Sequence, residues 1–476
     1  MKNMFRRSLA IALVCCLSGC ALTSPMLEPD VPVPAAWNEA AGTDTAAVSS
    51  TWWNSFGSAE LQSLVDEALA GSPDLAIATE RVNQAEAQVR VAGASLFPVL
   101  TPDGGTSTRR TSTVGGGKTG GPAVVDSVGN IGLTVSYELD LWGKNHDAVR
   151  SAESSASAAS FDRDTAQLTL VSGVATSYFE VLALRARLAI GRDNLAIAQR
   201  VFDLVSARAR DGVASALDVS RQQATVLSQQ AALVPLEQQE HQTLAALAVL
   251  VGRPPEGFDV QATGIADITV PAIDPGLPSN LLVRRPDLAS AEAQLAAANA
   301  DVAAARAALL PTITLTGSAG LATTALTSLA TGGTTAAIGI AASLLQPIFD
   351  GGHLRGEKAI AESRERELVE TYRKAILASF DDVEQALAGT SRLGQQEQLQ
   401  EGVQTSARES LRLAEVRYKA GADDLLTVLD AQRTLFAAQD QLAQVQLNRL
   451  QAAVSLYKAL GGGWGGEDTT APVPAA

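Results

Sequence analysis

The chain has almost no cysteine: three in 476 residues, at Cys15, Cys16 and Cys20. All stand in the first twenty positions, so the body of the chain has neither an intrachain disulfide nor a cysteine-based metal site. Histidine is equally scarce. His146, His241 and His353 sit in separate segments without ligand spacing, which gives no metal centre. Aromatics are 4% of the chain, and the apolar share of 46% is carried mostly by Ala, Leu and Val, which suits long helices meeting through small side chains. Positive charge is in deficit. With 36 Lys and Arg against 51 Asp and Glu, a net charge of −15 would be repelled by phosphate, so a nucleic-acid partner is excluded. After Cys20 no uninterrupted apolar run reaches the roughly 18 residues of a membrane-spanning helix.

Catalytic signatures are missing too. Segment 114–119 (VGGGKT) resembles the end of a phosphate-binding loop, but that pattern needs glycine where Ser112 stands and a helix directly after it. No nucleophile elbow precedes a helix with a plausible triad. The carboxylate pairs Asp381-Asp382 and Asp423-Asp424 are adjacent in sequence, diverge on a helix or turn, and read as solvated faces. The expectation is a protein that is not an enzyme and holds no cofactor.

The N-terminus is a secretory signal. Lys2, Arg6 and Arg7 precede an apolar run from Leu9 to Leu17, and Leu17-Ser18-Gly19-Cys20 closes it like a bacterial lipobox. Residues 1–19 are expected to be removed and Cys20 to carry a covalent lipid, which takes the formal charge from −15 to −18 by removing those three basic residues. Residues 20–51, rich in Pro, Ala, Thr and Ser, read as a lipid-anchored tether.

The rest of the chain repeats itself. Gly143 and Gly352, Glu153 and Glu362, Gly212 and Gly421, and Gly252 and Gly461 are each 209 residues apart. Upstream, Pro73-Asp74-Leu75 matches Pro286-Asp287-Leu288, and Pro98 matches Pro311, at an offset of 213. Two ungapped offsets mark an internal two-fold repeat. The first unit spans 52–252 and the second 281–464, with a linker at 253–280 and a disordered tail at 465–476.

Each unit has the same plan. A strand pair lies near 98–142 and again near 311–349. Ile131, Leu133, Val135, Tyr137, Leu139 and Leu141 alternate with small or polar residues, the pattern and length of a membrane β-strand facing lipid on one side and water on the other. Gly/Thr-rich loops are expected at 113–128 and 322–335. Segment 98–112 is the least regular strand, with Pro102, Gly104 and Gly105 inside it. Four strands are too few to close a barrel, whose minimum is about eight, so strands that span a membrane require the chain to oligomerise.

A helical hairpin follows each strand pair, at 143–251 and 352–460. The outgoing helices are close to 70 residues, about 100 Å at 1.5 Å per residue. They turn at Gly212 and Gly421. Pro235 is expected to kink or break the first return helix.

Together, Trp52-Trp53 with Phe56, Asp140-Leu141-Trp142-Gly143-Lys144, Leu282-Val283-Arg284-Arg285-Pro286-Asp287-Leu288, Phe349-Asp350-Gly351-Gly352, segment 421–433 and Tyr457-Lys458-Ala459-Leu460-Gly461 resemble the TolC-like outer-membrane efflux proteins, lipoprotein branch (OprM/NodT type). His353, where arginine is common, and the irregular first strand depart from the pattern.

The resemblance implies a mixed α and β fold. A homotrimer would give a β-barrel of twelve strands, four per chain, continuing into a long α-helical barrel. It implies a bacterial outer-membrane location, lipid-anchored and extending into the periplasm. A periplasmic adaptor protein and an inner-membrane resistance-nodulation-division pump would be its partners, and its activity a passive exit duct for drugs and other small molecules. Carried over by position, Leu426 and Asp430 would line the periplasmic constriction, with Arg417 and Tyr418 on the opposing helix as tethers. Three copies of Asp430 near one axis would repel one another and attract cations. Asp430 as a plain solvent-facing charge and Leu426 as coiled-coil core remain open at this point. So do two other functions, a protein-secretion duct and a non-pore coiled-coil lipoprotein.

Overall fold

The computed structural model describes residues 26–27, 29–39, 48–111, 124–323 and 335–464. Residues 1–19, Cys20, much of the tether and the tail 465–476 lie outside them. The chain divides into two compact units, one built mainly from 83–158 and 291–372, the other from 30–82, 159–290 and 373 onward.

The first unit contains the strands. Helix α1 (Ala59–Gly71) belongs to the other unit; α2 (Pro73–Gly93) leads to β1 (Val99–Thr111) and β2 (Val124–Leu139), and α5 (Pro286–Ala307) leads to β3 (Thr312–Thr323) and β4 (Thr335–Leu345). Proline opens α2 and α5, where its missing N–H costs nothing. The four strands form one antiparallel sheet in the order β1-β2-β3-β4, leaving β1 and β4 as edges. β1 is regular despite its proline and glycines, because pairing with β2 runs along its whole length, from Val99 with Ser136 to Thr111 with Val124. β2 starts at Val124, inside the span read as loop 113–128; loop composition gave way there to pairing with β1.

Register aligns the side chains. Pro102, Leu133, Ala319 and Ile338 stand in one cross-strand row, and Gly104, Ile131, Leu321 and Ala336 in the next. The row between them holds Asp103, Gly132, Gly320 and Ala337, and the row on the other side of Pro102 holds Thr101, Thr134, Ser318 and Gly339. Asp103 accepts hydrogen bonds from Thr134 Oγ1 at 2.9 Å and Asn130 Nδ2 at 3.3 Å on the small and polar face. The apolar face is bare: Ile338 is 86% exposed and Ile340 90%. Both strand-to-helix junctions are closed by an aspartate. Asp140 accepts from the His146 N–H, and Asp350 from the Gly352 and Leu354 N–H groups.

The long helices are α3 (Lys144–Arg210) and α6 (His353–Lys419), 67 residues each. The return helices are α4 (Ala216–Val251) and α7 (Leu425–Ala459). Pro235 does not interrupt α4. It and Ala231, whose carbonyl loses its bond, lie on the exposed side, where water satisfies the freed group. An 18-residue window of α3 reaches the hydropathy of a membrane helix, but most of that window is buried inside the fold, which accounts for its apolarity.

The second unit has a core of Trp52, Phe56, Leu61, Tyr178, Phe179, Leu182, Leu247 and Tyr457. Trp52 stacks on Tyr457 at 4.9 Å between centroids. The linker is bound, not loose. Arg185 donates to the carbonyls of Val260 and Ala262 at 2.6 and 2.8 Å and to Glu240 at 2.8 Å, and Glu60 accepts from the Gln261 and Ala262 N–H groups. Tyr178 also bonds Glu60, and burial, with that carboxylate beside it, pushes its hydroxyl up to about 12. Gly252 and Gly461 end the return helices with φ of 83° and 86°, and a Cβ on either would strike the main chain of Gly71 or Arg284.

The described part of the tether is docked as well. Trp37 is buried, donates to the Gly276 carbonyl at 2.9 Å and meets Phe380 edge-on at 6.2 Å. Asn38 bonds Glu384, and Arg392 bonds Glu39. A large aromatic with one N–H to satisfy holds this segment where its Pro-rich composition predicted a free leash.

Candidate constriction at the helical turns

Both hairpins turn by the same device. Gly212 and Gly421 take φ of 77° and 72°. Val213 N–H reaches back to the Arg208 carbonyl at 2.8 Å, and Ala422 N–H to the Arg417 carbonyl at 2.9 Å. These glycine-closed helix ends satisfy carbonyls that the last turn leaves free. The next helix then starts from a side-chain cap. In the first hairpin Ser215 and Asp218 form a reciprocal capping box; in the second Asp424 accepts from the Thr427 N–H at 3.1 Å.

Leu426 and Asp430 lie one turn apart on the exposed face of α7. Leu426 is 59% exposed while its neighbours Leu425 and Val428 are buried, so Leu426 is not part of the hairpin's own core. Asp430 is not a bare charge. Its carboxylate accepts from Arg433 Nη2 at 2.5 Å on the same helix. Asp430 therefore has a counter-ion on its own helix, because the i, i+3 spacing brings the guanidinium within reach.

Arg417 and Tyr418 are both paired, Arg417 with Asp423 and Tyr418 with Arg208. Arg417 holds Asp423 in a two-pronged pair at 2.5 and 3.0 Å, across the glycine turn of its own hairpin. The pair pulls the Asp423 carboxyl below the usual range and pushes the Arg417 guanidinium up. Tyr418 is buried beneath Arg208 of the first hairpin, whose guanidinium lies 4.5 Å from the ring centroid and also donates to the Tyr418 carbonyl. Burial pushes the Tyr418 hydroxyl up, and the nearby Arg208 charge opposes this. A shared apolar cluster of Val201, Val205, Ala407, Leu411, Tyr418, Leu425 and Val428 surrounds the contact.

Sequence reasoning missed Arg208 and Arg433, and it read Asp423 as a solvated charge where the structure pairs it with Arg417. Arg208 was detectable, since it stands 209 residues before Arg417 and each arginine precedes its turn glycine by four residues. Cys20 falls outside the described residues. No group of His, Cys, Asp and Glu arranged to hold a metal occurs among the described residues.

Residues 64–253 and 277–462 match the family model described as outer membrane efflux protein. The chain belongs to that family. This efflux protein is 44% identical over 474 residues to the pyoverdine export outer membrane protein OpmQ of Pseudomonas aeruginosa, covering 97% of this chain and 98% of the relative. It is 33% identical to the toluene efflux pump outer membrane protein TtgF of Pseudomonas putida, with 96% of each chain covered. Among solved structures, a membrane protein from Pseudomonas aeruginosa superposes with a TM-score of 0.85 at 33% identity, over 94% of this chain and 98% of that one. The open state of the Neisseria gonorrhoeae MtrE outer membrane channel gives 0.81 at 30%, over 93% and 98%. The efflux protein is thus a mostly helical outer-membrane channel with a small antiparallel sheet, extending into the periplasm. Its family is one of transport ducts, not of enzymes.

Proposed function

We propose that three copies of this chain form the outer-membrane exit duct of a tripartite efflux pump. The observation that carries the reading is the sheet. Among the described residues its apolar face is uncovered and continuous across four strands, and both of its edges are unpaired. Open edges are not tolerated in lipid, so β4 of one copy pairs with β1 of the next until the ring closes. Three copies give twelve strands and satisfy every edge. The two-copy plan within the chain is supported by long helices of equal length and by positive-φ glycines at matching places.

Cys20 carries the lipid that holds the chain at the outer membrane. The hairpin turns face a periplasmic adaptor, which connects the duct to an inner-membrane resistance-nodulation-division pump. Leu426 and Asp430 line the narrowest part of the closed duct, with Asp430 balanced by Arg433. Arg417 and Tyr418 keep the second hairpin in place, the first through its own turn and the second through Arg208. The cargo is small molecules, as the relatives named for pyoverdine export and toluene efflux indicate.

Deletion of the gene followed by measurement of dye and antibiotic accumulation tests the reading. Raised accumulation is expected. Unchanged accumulation with loss of a secreted protein would replace small-molecule efflux with protein export, and loss of neither would leave a coiled-coil lipoprotein without a pore.

A further inference from the structure

The return helices carry glutamine where a coiled-coil seam normally holds an apolar side chain. On α7 the buried positions Leu425, Val428, Gln432, Leu435, Gln439 and Leu442 follow the 3-4 spacing of such a seam. Gln432 is 0% exposed, and neither its amide nitrogen nor its oxygen has a hydrogen-bond partner. One heptad on, the oxygen of buried Gln439 is also unpartnered. On α4, Gln222 occupies nearly the same height, ten residues after Gly212 where Gln432 is eleven after Gly421. It too is fully buried and its oxygen is unpartnered, but its nitrogen donates to the Ala198 carbonyl of α3 at 2.8 Å. The two hairpins therefore carry buried glutamine rungs that differ in degree of satisfaction: Gln222 is bonded to the neighbouring helix through its nitrogen, and Gln432 is orphaned at both amide atoms.

We propose that Gln432 is a positioning residue for the constriction: its unpaired amide weakens the seam beneath Leu426 and Asp430, so that the second tip leaves its closed packing while the first stays put. The inference rests on the reading of Leu426 and Asp430 as the duct's narrow point. A buried amide without a partner destabilises the packed state, and it regains hydrogen bonds with water when the seam parts. An apolar side chain of the same length would reverse that preference. One orphaned amide of this kind shifts the balance between packed and parted seams by about tenfold. Gln222 has less to gain from parting, because its nitrogen is already bonded to α3. Arg208 on Tyr418 resists the motion from the other side, so the tip is held by one contact and loosened by another.

The test uses full-length protein with methionine at the rung, which keeps the length and flexibility of glutamine and removes the amide. Hydrogen exchange of the main chain at 417–436 and at 208–226 is followed alongside conductance in planar bilayers, for wild type, Gln432→Met and Gln222→Met. Gln432→Met is expected to slow exchange at the second tip about tenfold, leave the first tip unchanged and make openings rarer. Gln222→Met is expected to leave exchange at the second tip and conductance as in wild type. Exchange at the second tip that ignores Gln432→Met, or that slows as much with Gln222→Met, overturns the proposal. Slowed exchange with unaltered conductance breaks the link to the constriction, and a silent Leu426→Ala/Asp430→Ala double variant then identifies the constriction reading as the part that failed. Gln432→Leu replaces the methionine variant if that one misassembles.

Discussion

The two hairpin tips share a backbone and differ in almost everything attached to it. Each ends its long helix two residues after an arginine, turns at a left-handed glycine two residues further on and returns the chain through a side-chain cap. At the first tip Arg208 turns away from its own hairpin and grips Tyr418 of the second. At the second tip the matching Arg417 spends its charge locally on Asp423. Beyond the turn, Leu217 and Leu426 are exposed alike, but Ser220-Arg221 in the first hairpin stand where the second has Leu429-Asp430. The backbone fixes where a tip is, and the side chains decide whether it holds or is held.

Substitutions break this comparison to different depths. The largest effect belongs to the glycines at the far end of each hairpin. Gly461→Ala and Gly252→Ala drive a Cβ into main chain at a positive φ, and each should lose at least about 3 kcal/mol, seen as aggregation or a steep fall in thermal midpoint. A mild effect at only one of them would show that the two ends are built differently. Arg208→Ala comes next, at about 2 kcal/mol, because a stacked charge and a hydrogen bond are lost together, and Arg208→Lys should not restore it since an ammonium cannot stack as a plane. Thermal unfolding checks both.

Gly212→Ala and Gly421→Ala should cost about 1 kcal/mol each, since nothing lies within 4 Å of the added Cβ and only the backbone resists. Equal losses sharpen the likeness of the two turns. The pair Leu426→Ala with Asp430→Ala should move stability by less than about 0.5 kcal/mol yet raise single-channel conductance; the equivalent change at Leu217 should not. Unchanged conductance would remove Leu426 and Asp430 from the constriction.

The smallest effect is acid sensitivity. Hydrogen bonds to Ser215 hold Asp218, and the Arg417 pair holds Asp423, below the usual carboxylate range. For a lowered pKa the contribution is complete above the unfolded value near 3.9 and disappears as pH falls through the folded one. Stability at both tips should be flat from about pH 5 to 8 and drop only below about 4, as read by denaturation across pH.

Sequence carried the periodic part of this molecule well. The alternation at Ile131 to Leu139 and the heptads of the helices depend on nearest neighbours along the chain, and they became β2 and the long hairpins. Gly212 and Gly421 were legible because a left-handed turn has few residues to choose from. The irregular β1 was hard to read because the pairing that straightens it comes from β2, not from its own residues. Trp37 was invisible for a similar reason. Its partners Gly276 and Phe380 lie more than two hundred residues away, and local composition said only that the segment was Pro-rich. At the tip, sequence offered Asp430 as a charge and left out Arg433, although three residues on a helix are close neighbours.

The sheet also sets a timetable. β1 meets β2, and β3 meets β4, across short stretches of chain, so each hairpin can form as soon as it is made. The central β2–β3 pairing joins Ile131 to Leu321 and Leu139 to Ile313, with the whole first helical hairpin lying between them in sequence. Contacts that distant form slowly. During export β2 must therefore wait, unpaired on one side, until nearly two thirds of the protein has emerged. That interval is when a newly made chain is most open to capture by a chaperone or by the wrong strand.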